Sequence, residues 1–331
     1  MTTRAARLIT VTLVTAAVLG ACSGKQQSIV NAKGSEAQRI AGVWWLMFGL
    51  AAAVYVIVAG FILVGAFRGR RSEMGRPSRL TDEGLIWVGG LIVPTIILML
   101  LAVVTVHSTT HLRETDTGAL RIEVVGKQWW WQVTYPDTGF ETANEIHIPV
   151  GRQVVIGLDS DNVIHSFWVP PLAGKVDTIP GQHNQLVFTA KQAGVYTGHC
   201  AEYCGIQHAN MNFDVIAQPA ADFDRWLAQH RNPPSGPSSD LEERGQLAFQ
   251  SLPCAGCHTV NGTIAEGKVG PNLTDFGARR TIGAGTVPNT SSNLQRWITD
   301  AQSIKEGSRM PPIEMGSDDA RAIVAYLESL R

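Results

Sequence analysis

The sequence predicts a multidomain membrane protein made of two transmembrane helices, a Greek-key β-sandwich and a small all-α C-terminal domain. Three observations predict it. Two charge-free apolar runs are each longer than the ~20 residues that cross a bilayer core. A series of short β-rich segments bounded by Gly, Pro, Asp and Asn follows them. A Pro/Ser-rich linker then precedes a stretch with helical patterning at both ends. With 331 residues, 45% of them hydrophobic, the chain has room for an anchor and for packed cores. Its net charge of −1 argues against a nucleic-acid partner.

Taken in order, residues 1–21 place Arg4 and Arg7 ahead of an apolar run too short to span a bilayer, which reads as an export signal. The run closes on Leu19, Gly20, Ala21 and Cys22, a pattern that resembles the bacterial lipobox and makes Cys22 the expected lipidation site. Residues 22–110 form the anchor, with helices expected at about 41–67 and 84–107. Between them stand Arg68, Arg70, Arg71, Arg76 and Arg79, so this loop is expected in the cytoplasm and the chain beyond about 108 outside the membrane.

The β-rich domain is expected at 118–230, with strands in ALRIEVVG, QWWWQVTY, NEIHIPV, RQVVIGLD and QLVFTA and a short amphipathic helix from 218. A linker at 231–240, RNPPSGPSSD, leads to the helical domain at 241–331, whose glycine-rich middle reads as irregular. So small a domain is expected to own little core, leaving a bound cofactor to hold much of it together.

Within GHCAEYCGIQHANM (198–211), Cys200 and Cys204 stand four apart, followed by His208 and Met211. His165, expected to end a strand, is a further donor. Thiolates, imidazoles and a thioether form a soft set suited to copper and to electron transfer. Zinc takes Cys2His2 but seldom a thioether, and a single blue-copper centre would leave one thiol idle. Two cysteines can instead bridge two copper ions, with one histidine on each.

His165 followed by Cys-x3-Cys-x3-His-x2-Met resembles the dinuclear copper A centre of cytochrome c oxidase subunit II, a likeness running from about 40 to 217 and including KQWWWQVTYPD and VPPLAGKVDTIPGQHNQ. The resemblance implies a cupredoxin-like fold. It makes Cys200 and Cys204 bridging ligands, His165 and His208 terminal ligands and Met211 a weak axial ligand. Glu202 would offer its carbonyl to copper and its side chain to a magnesium site shared with subunit I. Trp129 would be the aromatic through which electrons enter, whereas Trp130 and Trp131 read as core and interface residues, and His147, His183 and His199 as structural. The sequence departs from the family at Asn162, often Asp, and at Gln182, often basic. Aligned on Pro94, Trp87 occupies the place of a glutamate at a proton path, and Glu83, one turn earlier, is the substitute.

The second motif is CAGCH, whose Cys254 and Cys257 can add to haem vinyl groups while His258 binds the iron. GPNL at 270–273, MPP at 310–312 and the helix holding Tyr326 and Leu327 resemble cytochrome c, which implies Met310, rather than Met315, as second axial ligand. All five cysteines are thereby absorbed and none is left for a disulfide.

Together the two sites resemble subunit II of caa3-type oxidases. The likeness implies haem c feeding copper A, with oxidase subunits I and III, the membrane, and a reducing cytochrome c or quinol–cytochrome c reductase as partners. The expected location is the bacterial cell membrane, with both redox domains on the extracytoplasmic side and the linker holding the haem domain at high effective concentration. Other readings of the same ligands are the copper A subunit of a nitric oxide reductase and a membrane-tethered electron carrier. Nitrous oxide reductase needs a propeller domain that does not fit, and quinol oxidase subunits lack the copper ligands.

Overall fold

The computed structural model describes residues 27–69, 82–110, 115–230 and 232–331. Cys22, Arg70, Arg71, Arg76 and Arg79 lie outside them, as does the side chain of Arg68.

Helix α1 spans Ser35–Gly69. The second apolar helix, α2, runs as Asp82–Leu85, a π-helical stretch Ile86–Ile92, and Val93–Thr110. Both are apolar and long enough to cross a membrane, and side chains such as Tyr55, Phe61, Leu98 and Val103 stay exposed, as lipid-facing residues would. A π stretch stacks residues five apart rather than four, so the four-residue spacing that relates Glu83 to Trp87 does not carry through it.

The foot of α1 is bound to the sandwich that follows. Ala37 and Ala41 are buried, Lys33 N donates to Pro171 O at 2.7 Å, and Thr189 N donates to Ser35 Oγ at 3.0 Å. These contacts hold the sandwich close to the end of the first apolar helix.

Ten strands form the sandwich: β1 Leu120–Lys127, β2 Trp130–Tyr135, β3 Phe140–Ala143, β4 Glu145–Pro149, β5 Gln153–Ser160, β6 His165–Trp168, β7 Val176–Thr178, β8 Asn184–Thr189, β9 Gly194–Cys200 and β10 Asn212–Gln218. One sheet has the order β3-β2-β1-β5-β8 and the other β4-β10-β9-β6-β7. The β1–β5 and β4–β10 pairs are parallel, the mark of strands that cross over within the sandwich. Period-two patterning drives the packing: Ile122 and Val124, then Trp131, Val133 and Tyr135, then Phe213 and Val215, all point inward and are buried.

His165 opens β6 rather than ending a strand, which corrects the expectation. The residues before it are held in a turn by local bonds, Ser160 Oγ to Val163 O and Val163 N to Asn162 Oδ1, so extended pairing begins only at the histidine.

Helix α3 (Ala220–Gln229) closes the sandwich, and the C-terminal domain holds α4 (Asp240–Ser251), α5 (Cys254–Cys257), α6 (Ser291–Thr299) and α7 (Ser317–Ser329). A two-strand hairpin, Thr281–Ile282 with Val287–Pro288, interrupts them. Its middle is not wholly irregular: in α6, Thr290 caps the helix by accepting from Asn293 N, and Leu294 and Ile298 are buried. Nor is the domain coreless, since Phe249, Ile323, Tyr326 and Leu327 join Leu294 and Ile298 in one buried cluster.

Candidate functional site

Strand β6 delivers His165, the end of β9 delivers Cys200, and the loop to β10 supplies Cys204, His208 and Met211. The two sulfurs lie 3.7 Å apart. Cys200 Sγ is 3.8 Å from His165 Nδ1 and Cys204 Sγ is 3.8 Å from His208 Nδ1, so each sulfur faces one imidazole. Met211 Sδ is 3.8 Å from Cys204 Sγ, and the carbonyl of Glu202 is 3.1 Å from Cys200 Sγ. Every donor expected at this site is brought to it.

The donors are also oriented. His165 is fully buried, and a Cβ on Gly126 would come within 2.8 Å of its ring, so glycine makes the seat. Its Nε2 donates to Asn162 Oδ1 at 3.1 Å, an oxygen that also accepts from Val163 N. That bond places the proton on Nε2 and turns an unprotonated Nδ1 toward Cys200. Asn162, noted in the sequence only as a departure, is thus a positioning residue.

The thiols interact strongly. Cys204 beside it, with His165 and the main chain, holds the Cys200 thiol well below its usual range, while the ionised Cys200 and burial push Cys204 up. A buried pair in which one thiolate opposes the next needs cationic charge to keep both ionised. With two imidazoles and a thioether, that is the donor chemistry of a dinuclear copper site.

Trp129 reaches the same loop. Its Nε1–H donates to Cys204 O at 3.0 Å, and Gln128 Nε2 donates to that oxygen at 2.8 Å. Gly205 makes this approach possible: its φ is +119°, and a Cβ there would sit 3.0 Å from the indole. Trp131 is core, edge-on to Phe167 and Phe213. His147 stacks on Trp226 with ring centres 4.0 Å apart, His183 pairs with Asp159 at 2.8 Å, and His199 lies 3.3 Å from Asn212 Oδ1, all structural contacts.

In the C-terminal domain a slot is lined by Cys254, Cys257, His258 and both Met310 and Met315. His258 Nδ1–H donates to Pro271 O at 2.8 Å, which leaves Nε2 as the free donor atom. Gln302 Nε2 donates to Ser308 O and to Met310 O, at 2.6 and 3.0 Å, and so clamps the segment carrying Met310. Arg279 lines the slot, and its buried Nε has no partner among the described residues. Its Nη2 already donates to Asp275 Oδ1 and Asn272 O, so the fit to a covalently held haem rests on the thiol pair, the oriented imidazole and the thioether.

Trp129 and Trp130 line this slot too. Trp130 therefore belongs to the wall between the sites, within the core-and-interface reading of the sequence. The domains meet directly: Thr142 Oγ1 donates to Asp275 Oδ2 at 2.7 Å, Arg280 N to Glu145 Oε1 at 2.6 Å, and Asn212 N to Ala284 O at 3.0 Å. Lys305, which no motif singled out, is 3% exposed. Its ammonium donates to Trp129 O, Asn210 O and Gly283 O at 2.8, 2.7 and 2.7 Å.

Residues 139–218 match the family model for the periplasmic domain of cytochrome c oxidase subunit II, and 242–331 match that for cytochrome c. The chain is 34% identical to cytochrome c oxidase subunit 2 of Alkalihalophilus pseudofirmus, over 99% of this chain and 97% of the relative. It is 33% identical to the protein of that name from Bacillus sp. strain PS3, over 80% of each. Among solved structures, the periplasmic domain of subunit II of the Bradyrhizobium japonicum cytochrome oxidase is 30% identical, with a TM-score of 0.34, covering 36% of this chain and 97% of that one.

Proposed function

The chain belongs to the cytochrome c oxidase subunit II family, and we propose that it is the electron-accepting subunit of a haem-copper terminal oxidase in which a cytochrome c domain is fused to the copper A domain. Bound haem c and dinuclear copper A supply one-electron acceptance and release. Cys254 and Cys257 would hold the haem covalently, and His258 Nε2 and Met310 Sδ would be the donors to its iron. Cys200, Cys204, His165 and His208 would hold the copper pair, with the Met211 thioether and the Glu202 carbonyl as further donors.

The observation that carries this reading is the pairing of each buried sulfur with one imidazole, joined to the haem slot by Trp129, which donates to Cys204 O and lines the slot. Two soft, mutually close sites joined by an aromatic suit electron transfer. Dioxygen reduction to water, coupled to proton translocation, then belongs to subunit I. The exposed Tyr203 and Glu202 suit a face that meets that subunit, where the Glu202 carboxylate would be available to a magnesium ion. Subunit III and a reducing cytochrome c or quinol–cytochrome c reductase complete the partners. Both redox domains lie outside the bacterial cell membrane, and Cys22 is the lipid attachment point.

Purification of the complex from membranes tests this. The expected result is a haem c spectrum, a mixed-valence copper signal, and a co-purifying haem-copper subunit that consumes oxygen. One bound zinc and no mixed-valence signal would overturn the copper assignment.

A further inference from the structure

The Met310 segment carries more than an iron ligand. Five residues before Met310, Lys305 leaves its own domain and uses all three ammonium hydrogens on carbonyls: Gly283 O at home, and Trp129 O and Asn210 O on the sandwich. Next to it, Glu306 O accepts from Gln207 Nε2 at 2.8 Å. At Gly307 a Cβ would fall 2.4 Å from the end of the Ile206 side chain and 3.7 Å from the Trp129 ring, so both side chains lie over this glycine. Residues 305–307 thus touch both flanks of the copper loop, 206–207 and 210, and the aromatic that contacts it.

Burial of an ammonium costs several kcal/mol unless it is fully hydrogen-bonded. No carboxylate pairs with Lys305 among the described residues, and burial pushes it down to about 7. Two of the three carbonyls that offset this burial exist only while the domains are docked. The clasp is also rigidly joined to the haem side, since Gln302 accepts from Gly307 N at 2.8 Å and donates to Met310 O.

From this geometry, and resting on the cofactor assignment above, we propose that Lys305 is the positioning residue that locks the cytochrome c domain onto Trp129 and the copper loop, so that the two domains work as one fixed unit and the 231–240 linker does not set the transfer rate. The step served moves one electron from ferrous haem to the oxidised copper pair, with no bond made or broken and no proton moved.

The test uses the full chain in its oxidase complex, as Lys305→Met, as an insertion of about ten Gly/Ser residues in the linker, and as both together. Haem and copper spectra, read first, show whether the cofactor assignment itself stands. With both spectra intact, Lys305→Met is expected to slow transfer between the centres by about tenfold or more and to make it dependent on viscosity. Deuterium exchange should rise in segments 203–211 and 301–309. The insertion alone should change nothing, yet should slow the Lys305→Met chain further. Unchanged transfer and exchange in Lys305→Met, loss of either spectrum from it, or slowing by the insertion alone would each overturn the proposal.

Discussion

The two redox sites of this chain are built in opposite ways. At the copper loop, each side-chain donor from β6, β9 and the β9–β10 loop stands within 3.8 Å of a cysteine sulfur, with His165 oriented by Asn162 and seated on Gly126. At the haem site, one imidazole is oriented by Pro271 and the rest is a slot whose walls come from both domains. A donor set delivered by one sandwich is expected to be self-supporting, and a slot walled by two domains to be completed by its occupant.

The largest effect should come from removing the haem anchor. In Cys257→Ser the C-terminal domain loses one covalent attachment beside its ligand His258 and is expected to carry almost no stable haem, which a haem stain of the denatured chain would read. The copper signal should survive, because no copper donor lies in that domain. Normal haem content, or loss of copper with the haem, would break the contrast between a self-supporting site and an occupant-completed one.

Next is Cys204→Ser, which removes one of two bridging sulfurs. The mixed-valence signal should vanish while haem c is retained. The sandwich should lose only about 1–3 kcal/mol against denaturant, because its core residues, such as Trp131, Phe167 and Phe213, pack around that position independently. A sandwich that failed to fold would show that the ion, not the sheet, arranges the donors.

Acidity should also separate the regions. Burial pushes His147 of the sandwich down to about 4. On acidification the unfolded chain takes up this proton first. The stability given by the neutral ring is therefore full above about pH 6.5 and is lost as pH falls toward 4, by at most about 3 kcal/mol. Glu145, pushed up to about 7 by burial, acts with the opposite sign between about 4.5 and 7. The discriminating measurement is thus the difference between the chain and His147→Gln in denaturant unfolding across that range. Equal slopes in the two would remove His147 as the cause.

Much of this was legible in the residues, for physical reasons. The apolar helices follow from length and composition, and the strands β1 and β2 from a period of two that burial enforces. The donors of the copper loop and the CAGCH motif are local in sequence, so spacing carries them. Lys305 was invisible for the converse reason, since a lysine 176 residues from its acceptor at Trp129 leaves no local pattern. Asn162 stood out only as a departure from the family, and its role needs His165 folded against it. Helix α6 was missed because it is short and follows a glycine-rich stretch, so its two buried positions, Leu294 and Ile298, give little periodicity to see.

The smallest effect sharpens the comparison most. If the copper site is preorganised by its surroundings, Asn162→Ala should weaken it without touching a ligand: His165 loses the acceptor that keeps its proton on Nε2, so the tautomer offering Nδ1 to the metal is no longer favoured. Copper retention against a chelator should fall by about tenfold, with haem content unchanged. Asn162→Asp, which keeps an acceptor oxygen in the same place, should restore it. If Asn162→Ala holds copper as firmly as the unaltered chain, Gly126 and the strand pairing of β6 suffice to set the ring, and the preorganisation lies in the backbone alone. A loss that Asn162→Asp fails to restore would instead place the effect in the turn, where Asn162 Oδ1 also accepts from Val163 N.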